Sequence, residues 1–171
     1  MEINQLNKRA SQVELLLLDV DGVLTAGEMF YDSSGRELKC FNVYDGLGVS
    51  FAVKHGLEIA ILTAKESKVV KIRAKHMGIK DVFSGWPKKD VFSKILNKYK
   101  IGADKVCFVG DDLIDLDVLK QVGLPIAVNN AVEEVKKISF YTTNNSGGRG
   151  AVREVVEIIL KAKGIWDKIV F

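Results

Sequence analysis

Cysteine and histidine are scarce in this 171-residue chain, which has only two of each. Cys40 and Cys107 lie far apart and match no metal-ligand spacing. Cys107 sits in the apolar run "KVCFVG", where a buried, inert thiol is expected. His55 and His76 fall late in expected helices, with no Cys or His neighbour at ligand spacing. A thiolate or imidazole metal centre is therefore not expected. Long apolar runs are missing too. No stretch reaches the roughly 18 residues needed to span a bilayer, and the opening "MEINQLNKRASQ" lacks a signal-peptide core. The chain is expected to be cytoplasmic and off the membrane. Charge of one sign is also lacking: 25 basic against 22 acidic residues leave a formal +3. That favours a small anionic ligand slightly and makes no case for nucleic acid. With no long linker, low-complexity tract or repeat, residues 1–171 read as a single domain with a substantial core.

What is present is alternation. "ELLLLDV", "GLEIAILT", "DVFSG", "KVCFVG" and "LPIAV" are short apolar runs of strand type. Helical faces lie between and after them, one formed by Val91, Phe92, Ile95, Leu96 and Tyr99, another by Val152, Val155, Val156 and Ile159. The pattern predicts an α/β fold: a Rossmann-like parallel sheet with helices on both faces. Right-handed crossovers would then gather the carboxyl ends of the strands along one edge. One segment breaks the pattern. "GEMFYDSSGRELKCFNV" carries two β-leaning runs around "DSSG", which predicts a projecting β-hairpin flap over about residues 27–43.

The expected strand ends carry an unusual set of side chains. The first gives Asp19-Val20-Asp21-Gly22 and the second Thr63. A lysine pair, Lys88-Lys89, opens the helix after "DVFSGWP"; "KVCFVG" leads into Asp111-Asp112, with Asp115 one turn on. Singly these residues are ordinary caps and solvated lysines. Together, carboxylates converging on one edge would repel one another unless a cation sat among them. Oxygen donors beside a lysine suit Mg²⁺ with a phosphate. One carboxylate can attack phosphorus, and a second can pass the proton. A hydroxyl and an ammonium can hold the transferring oxygens.

"LDVDGVLT", "ILT", the lysine and "VGDDLIDLDVL", in that order, resemble the haloacid dehalogenase superfamily of Mg²⁺-dependent phosphotransferases. "ELKCFNVYDGLGV", "VGDDLIDLDVLKQVGL" and "GGRGAVREVVEIIL" further resemble the 3-deoxy-D-manno-octulosonate 8-phosphate phosphatases, capless homotetrameric enzymes of lipopolysaccharide precursor synthesis. The resemblance implies that Asp19 is the nucleophile, Asp21 the general acid/base, and Thr63 and Lys89 the phosphoryl-holding pair. Lys89 is preferred to Lys88 because the family lysine falls four residues after the glycine matched by Gly85. Mg²⁺ would be held by the Asp19 side chain, the Asp21 main-chain carbonyl and Asp111, with Asp112 orienting water and Asp115 the lysine.

Two positions depart from the family pattern. Ala64-Lys65 follows Thr63 where Gly-Arg is usual, and Tyr44 precedes Asp-Gly where arginine is frequent. A lysine keeps the charge but loses the two-pronged grip on a carboxylate. A nonulosonate 9-phosphate is therefore the alternative substrate, with Lys65, Gly148 and Arg149 as expected substrate contacts. The glycines around Arg149 read either as a turn into the last long helix or as a backbone anion site. The spans Asp21–Thr63 and Thr63–Lys89 leave no room for a separate cap domain, so the flap and the C-terminal helix and tail, about 148–171, are candidate lids. The apolar "GIWDKIVF" is expected to dock on the core or on a partner. A phosphate-receiving signalling module is the non-catalytic alternative. Such modules carry their phosphoacceptor on the third strand, whereas here the first strand bears both Asp19 and the acid needed for turnover.

Overall fold

The computed structural model describes residues 2–170. Its framework is one six-stranded parallel sheet in the order β5-β4-β1-β6-β7-β8. The strands are β1 (Leu15–Leu18), β4 (Glu58–Thr63), β5 (Asp81–Ser84), β6 (Val106–Gly110), β7 (Leu124–Ala127) and β8 (Tyr141–Thr142). The five strands expected from the apolar runs are all there. β8 is additional: two half-buried residues are too short to carry a periodicity. The four leucines of β1 are fully buried, as a central strand covered on both faces requires.

Helices α1 (Glu2–Ser11), α2 (Val43–Lys54) and α7 (Ala151–Ala162) pack together as one group. Helices α4 (Lys88–Tyr99), α5 (Leu116–Leu119) and α6 (Glu133–Ile138) form another. Helix α3 (Lys68–Met77) lies beside α2 and β5. The apolar face of α7, Val152, Val155, Val156 and Ile159, is buried, and on α4 the core-facing pair is Phe92 and Ile95. Ile165, Trp166 and Ile169, around the short α8 (Asp167–Val170), pack against the core, whereas Phe171 lies outside the described residues. Cys107 is buried, and burial drives its thiol above the usual range.

Two features position the site. From β1 the chain moves to β4 and β5, then crosses back to β6 on the other side of β1. The reversal leaves a crevice at the carboxyl ends of β1 and β6, where open α/β sheets bind ligands. The flap springs from the turn after β1. It is narrower than its sequence suggests, pairing only β2 (Phe30–Tyr31) with β3 (Glu37–Leu38). Its tip is tied by Asp32, which accepts from the Ser34 and Arg36 amides at 2.9 Å each. Among the described residues no separate cap domain is inserted between the strands.

Candidate active site

Leu18 of β1 pairs with Ile61 of β4 and Val109 of β6, so the residues just beyond all three strand ends converge. Asp19 follows β1 directly, is buried, and donates its amide to the Val109 carbonyl at 3.1 Å. The chain then coils tightly, the amides of Val23, Leu24 and Thr25 all turning to the Val20 carbonyl. Gly22 makes this possible with φ +86°. A Cβ there would lie 1.9 Å from Asp111 Oδ2, so only glycine lets the Asp111 carboxylate come against the end of β1. Thr63 closes β4 and is buried beside the same crevice.

The lysine that reaches the carboxylates is Lys88, which corrects the expectation of Lys89. Lys88 Nζ lies 2.9 Å from Asp19 Oδ1 and 2.6 Å from Asp115 Oδ1, with its side chain fully buried. The Lys89 side chain is 53% exposed and, among the described residues, its one acidic neighbour is Asp117, at 3.9 Å. Helix α4 starts at Lys88, whose side chain faces the sheet edge; the next residue is turned about 100° round the axis, toward solvent. Asp115, expected beside Lys89, bonds Lys88 instead. Its other oxygen accepts from the Asp111 and Asp112 amides at 2.9 and 3.3 Å, so both oxygens are committed. Asp112 is exposed at the rim and accepts from the Leu113 amide.

Asp19, Asp111 and Asp115 present carboxylate oxygens within 4.8 Å of one another. A single ammonium cannot neutralise them. Burial first, then the Asp115 charge, raises Asp19 to about 7 against the pull of Lys88. Burial and the charges of Asp19, Asp115 and Asp112 raise Asp111 to about 8. Burial also opposes the Lys88 charge, but Asp19 and Asp115 outweigh it and hold the ammonium above the usual lysine range. With one ammonium among three carboxylates the cluster is short of positive charge, and Lys88 apart it offers oxygen donors. Those are the terms on which a hard divalent cation such as Mg²⁺ fits, with Asp19 and Asp111 as the carboxylates of the cluster that line the cavity.

The cavity over this cluster measures about 240 Å³ and is lined by Asp19, Asp21, Thr63, Lys65, Asp111 and Ile114, with Gly22, Gly27, Ala64 and Asp112. A larger groove of about 640 Å³ lies between α3 and β5, lined by Lys71, Lys75 and Lys80 without any acid, and holds none of this chemistry.

Gly148 and Arg149 are not among the lining residues. The glycines before α7 instead pack on the turn after β1: a Cβ on Gly147 would fall 1.7 Å from the Gly22 carbonyl oxygen, and one on Gly148 2.5 Å from the Ala26 amide. The backbone donors there are taken. Asn130 accepts from the Gly147 amide at 2.6 Å while donating to the Gly22 carbonyl at 3.3 Å. Asp45 of α2 accepts from the Gly150 and Arg153 amides at 3.2 and 2.8 Å, capping α7 from a distance. Arg149 is exposed.

Lys39, Asn130 and Asp45 were not anticipated. For Lys39 a signal exists: Glu37 and Lys39 are two apart on β3 and its extension, so both side chains take one face. Lys39 Nζ lies 2.5 Å from Asp21 Oδ1 and 3.3 Å from Glu37 Oε1. Burial disfavours its charge, and the two carboxylates more than restore it, raising its pKa.

The family description "haloacid dehalogenase-like hydrolase" matches residues 48–155. The 3-deoxy-D-manno-octulosonate 8-phosphate phosphatase of Escherichia coli K12 is 42% identical over 161 residues, 94% of this chain and 86% of that one. The chain belongs to the haloacid dehalogenase-like hydrolases. Among solved structures, the enzyme of that phosphatase name from Moraxella catarrhalis, in complex with magnesium, phosphate and KDO, is 38% identical. It superposes with a TM-score of 0.95, covering 98% of this chain and 97% of its own. A cobalt-bound form from Haemophilus influenzae is 32% identical with a TM-score of 0.87, covering 91% and 92% of the two chains. As a haloacid dehalogenase-like hydrolase whose relatives carry phosphatase names, the chain is a phosphatase, as its motifs led one to expect.

Proposed function

We propose that this phosphatase hydrolyses 3-deoxy-D-manno-octulosonate 8-phosphate to the free sugar acid and phosphate, with Mg²⁺ as cofactor. The observation that carries the reading is the buried Asp19 carboxylate, 2.9 Å from Lys88 and facing a cavity that Thr63, Asp21 and Asp111 share. Asp19 attacks phosphorus; the bond from phosphorus to the sugar oxygen breaks, and Asp21 gives that oxygen its proton. Asp21 then takes a proton from water as the water oxygen attacks the aspartyl-phosphate, releasing phosphate and restoring Asp19. Thr63 and Lys88 hold the phosphoryl oxygens throughout. Held by Asp19, Asp111 and the Asp21 carbonyl, the cation would neutralise charge shared by these carboxylates and the phosphate.

Lys65, exposed at the cavity rim, supplies a cation for the sugar-acid carboxylate. Arg149, which does not line its own cavity, is assigned to a neighbouring subunit's. The assembly proposed is a homotetramer in the cytoplasm, each chain a single domain. The exposed apolar groups Phe30, Tyr31 and Leu38 on the flap and Val43, Tyr44 and Leu47 on α2 support association. Among the described residues no helix is long and apolar enough to cross a membrane.

The test is phosphate release from a panel of esters: the octulosonate 8-phosphate, nonulosonate 9-phosphates and hexose phosphates, with Mg²⁺ and after EDTA. Octulosonate preference, abolished by chelation and by Asp19→Asn, is expected. Preference for a nonulosonate would keep the chemistry and move the substrate. An Asp19→Asn variant of full activity would remove the mechanism.

A further inference from the structure

We propose that Lys39, carried on the flap, is a positioning residue for the Asp21 carboxylate, so that the flap completes the acid–base part of the site. Asp21 stands beyond the end of β1, and its side chain is 48% exposed. Asp19 is held from two sides by the sheet and Lys88, but among the described residues Lys39 is the one side-chain partner of Asp21. The Lys39 side chain is only 4% exposed although the flap around it is open: Leu38 and Cys40, its neighbours on either side, face solvent.

The contact is backed by a second layer. Glu37 meets Lys39 at 3.3 Å through one oxygen, and its other oxygen accepts from the Ser67 hydroxyl at 3.3 Å. Ser67 is the N-cap residue of α3, yet its side chain makes no capping bond there. Serine at that position ordinarily turns back to its own helix; here it reaches across to the flap. A chain of contacts thus runs from the α3 start, four residues past Thr63, through Glu37 and Lys39 to Asp21. Two carboxylates already engage the Lys39 ammonium, so a substrate anion would have to displace one of them. The phosphoryl-binding cation assigned above is Lys88, which bonds Asp19 and Asp115. Orienting the Asp21 carboxylate is the task left to Lys39.

This inference rests on the phosphatase reading, and the experiment separates the two. Lys39→Met, Lys39→Arg, Asp21→Asn and the double variant Asp21→Asn/Lys39→Met are compared with the wild type on the preferred ester. Lys39→Met is expected to lower kcat about 10- to 100-fold with KM nearly unchanged, a part of what a general acid/base contributes. Arginine should recover most of the loss. In the double variant, removal of Lys39 should cost nothing beyond Asp21→Asn, because the lysine acts through that carboxylate. Independent losses that multiply, a raised KM with unchanged kcat, or an unaffected Lys39→Met enzyme would each overturn the proposal. The pairing is also read without turnover, by amide hydrogen exchange across residues 30–40. Lys39→Met and Asp21→Asn should both loosen the flap. Unchanged protection in both variants would sink the latch, whereas a wild type that hydrolyses no ester would sink only the phosphatase reading.

Discussion

At the scale of single residues, the site depends on which of two adjacent lysines faces inward. Lys88→Met should lower kcat at least about 1,000-fold and destabilise the fold by roughly 3 kcal/mol, since Asp19 and Asp115 lose their buried partner. Lys89→Met should stay within about twofold in activity and 0.5 kcal/mol in stability. Steady-state kinetics and urea denaturation check both. Gly22 is as exacting for another reason. In Gly22→Ala a methyl group would overlap the Asp111 carboxylate at a backbone angle that alanine adopts poorly. A loss of more than about tenfold in kcat/KM is expected, together with weaker Mg²⁺ binding by calorimetry. Asp19, Asp21 and Asp111 were legible as a group because they follow close on the apolar strands β1 and β6, where position along the chain translates into position in space; their separate roles came from the family resemblance. The lysine was not legible, because the choice between residues 88 and 89 depends on where α4 begins, and a shift of one residue turns the side chain from carboxylates to solvent. Lys39 was only half legible for a related reason: alternation puts it on the same face as Glu37, but nothing local says that this face turns toward Asp21.

At the scale of elements, α7 is anchored at its N-terminus by carboxylates rather than by its own cap, which is Gly150 at φ +106°. Asp45 takes two of its first amides. One turn in, Glu154 reaches back to the preceding loop, accepting from the Asn144 and Asn145 amides at 2.9 and 3.1 Å and from the Tyr141 hydroxyl at 2.8 Å. Burial would raise the Glu154 pKa, but these donors prevail and lower it. A carboxylate whose folded pKa lies below its unfolded value adds stability above the latter and loses it as pH falls through the former. Glu154→Gln should therefore cost about 1–2 kcal/mol near pH 7, with the difference from wild type shrinking below about pH 4.5, as urea titrations at several pH values would record. The glycine run before α7 shows the limit of composition. It suggested a turn or an anion site, and it proves to be a close backbone contact with the Gly22–Ala26 turn, a relation between segments far apart in sequence. The two-residue strands β2, β3 and β8 were blurred or missed likewise, since they are fixed by partners rather than by periodicity.

At the scale of the whole molecule, the sheet is finished but one surface is not. Phe30, Tyr31 and Leu38 expose large apolar groups on a hairpin too short to be stable alone. On the proposed homotetramer, a Tyr31→Glu/Leu38→Glu variant should therefore shift the protein to smaller species in light scattering. It should also lose activity with the sugar-acid ester more than with a small aryl phosphate, if Arg149 works across subunits. The α/β class and the parallel strands themselves were the most legible properties of the chain, because buried parallel strands write themselves as continuous apolar runs; the assembly surface is written only as an excess of exposed ones.

The reversal of the sheet at β1 also fixes when the site comes into being. Asp19 and Asp111 become neighbours only when Leu15–Leu18 pairs with Val106–Gly110, and the chain must lay down β4 and β5 on the opposite side before it returns. Such a distant pairing carries a large loop-closure entropy and is slow to form. A nascent or truncated chain ending before β6 would hold Asp19 with neither the lysine-holding Asp115 nor its acidic neighbour Asp111. Recovery of turnover during refolding should accordingly trail recovery of the helical signal, so that catalysis reports completion of the central pairing.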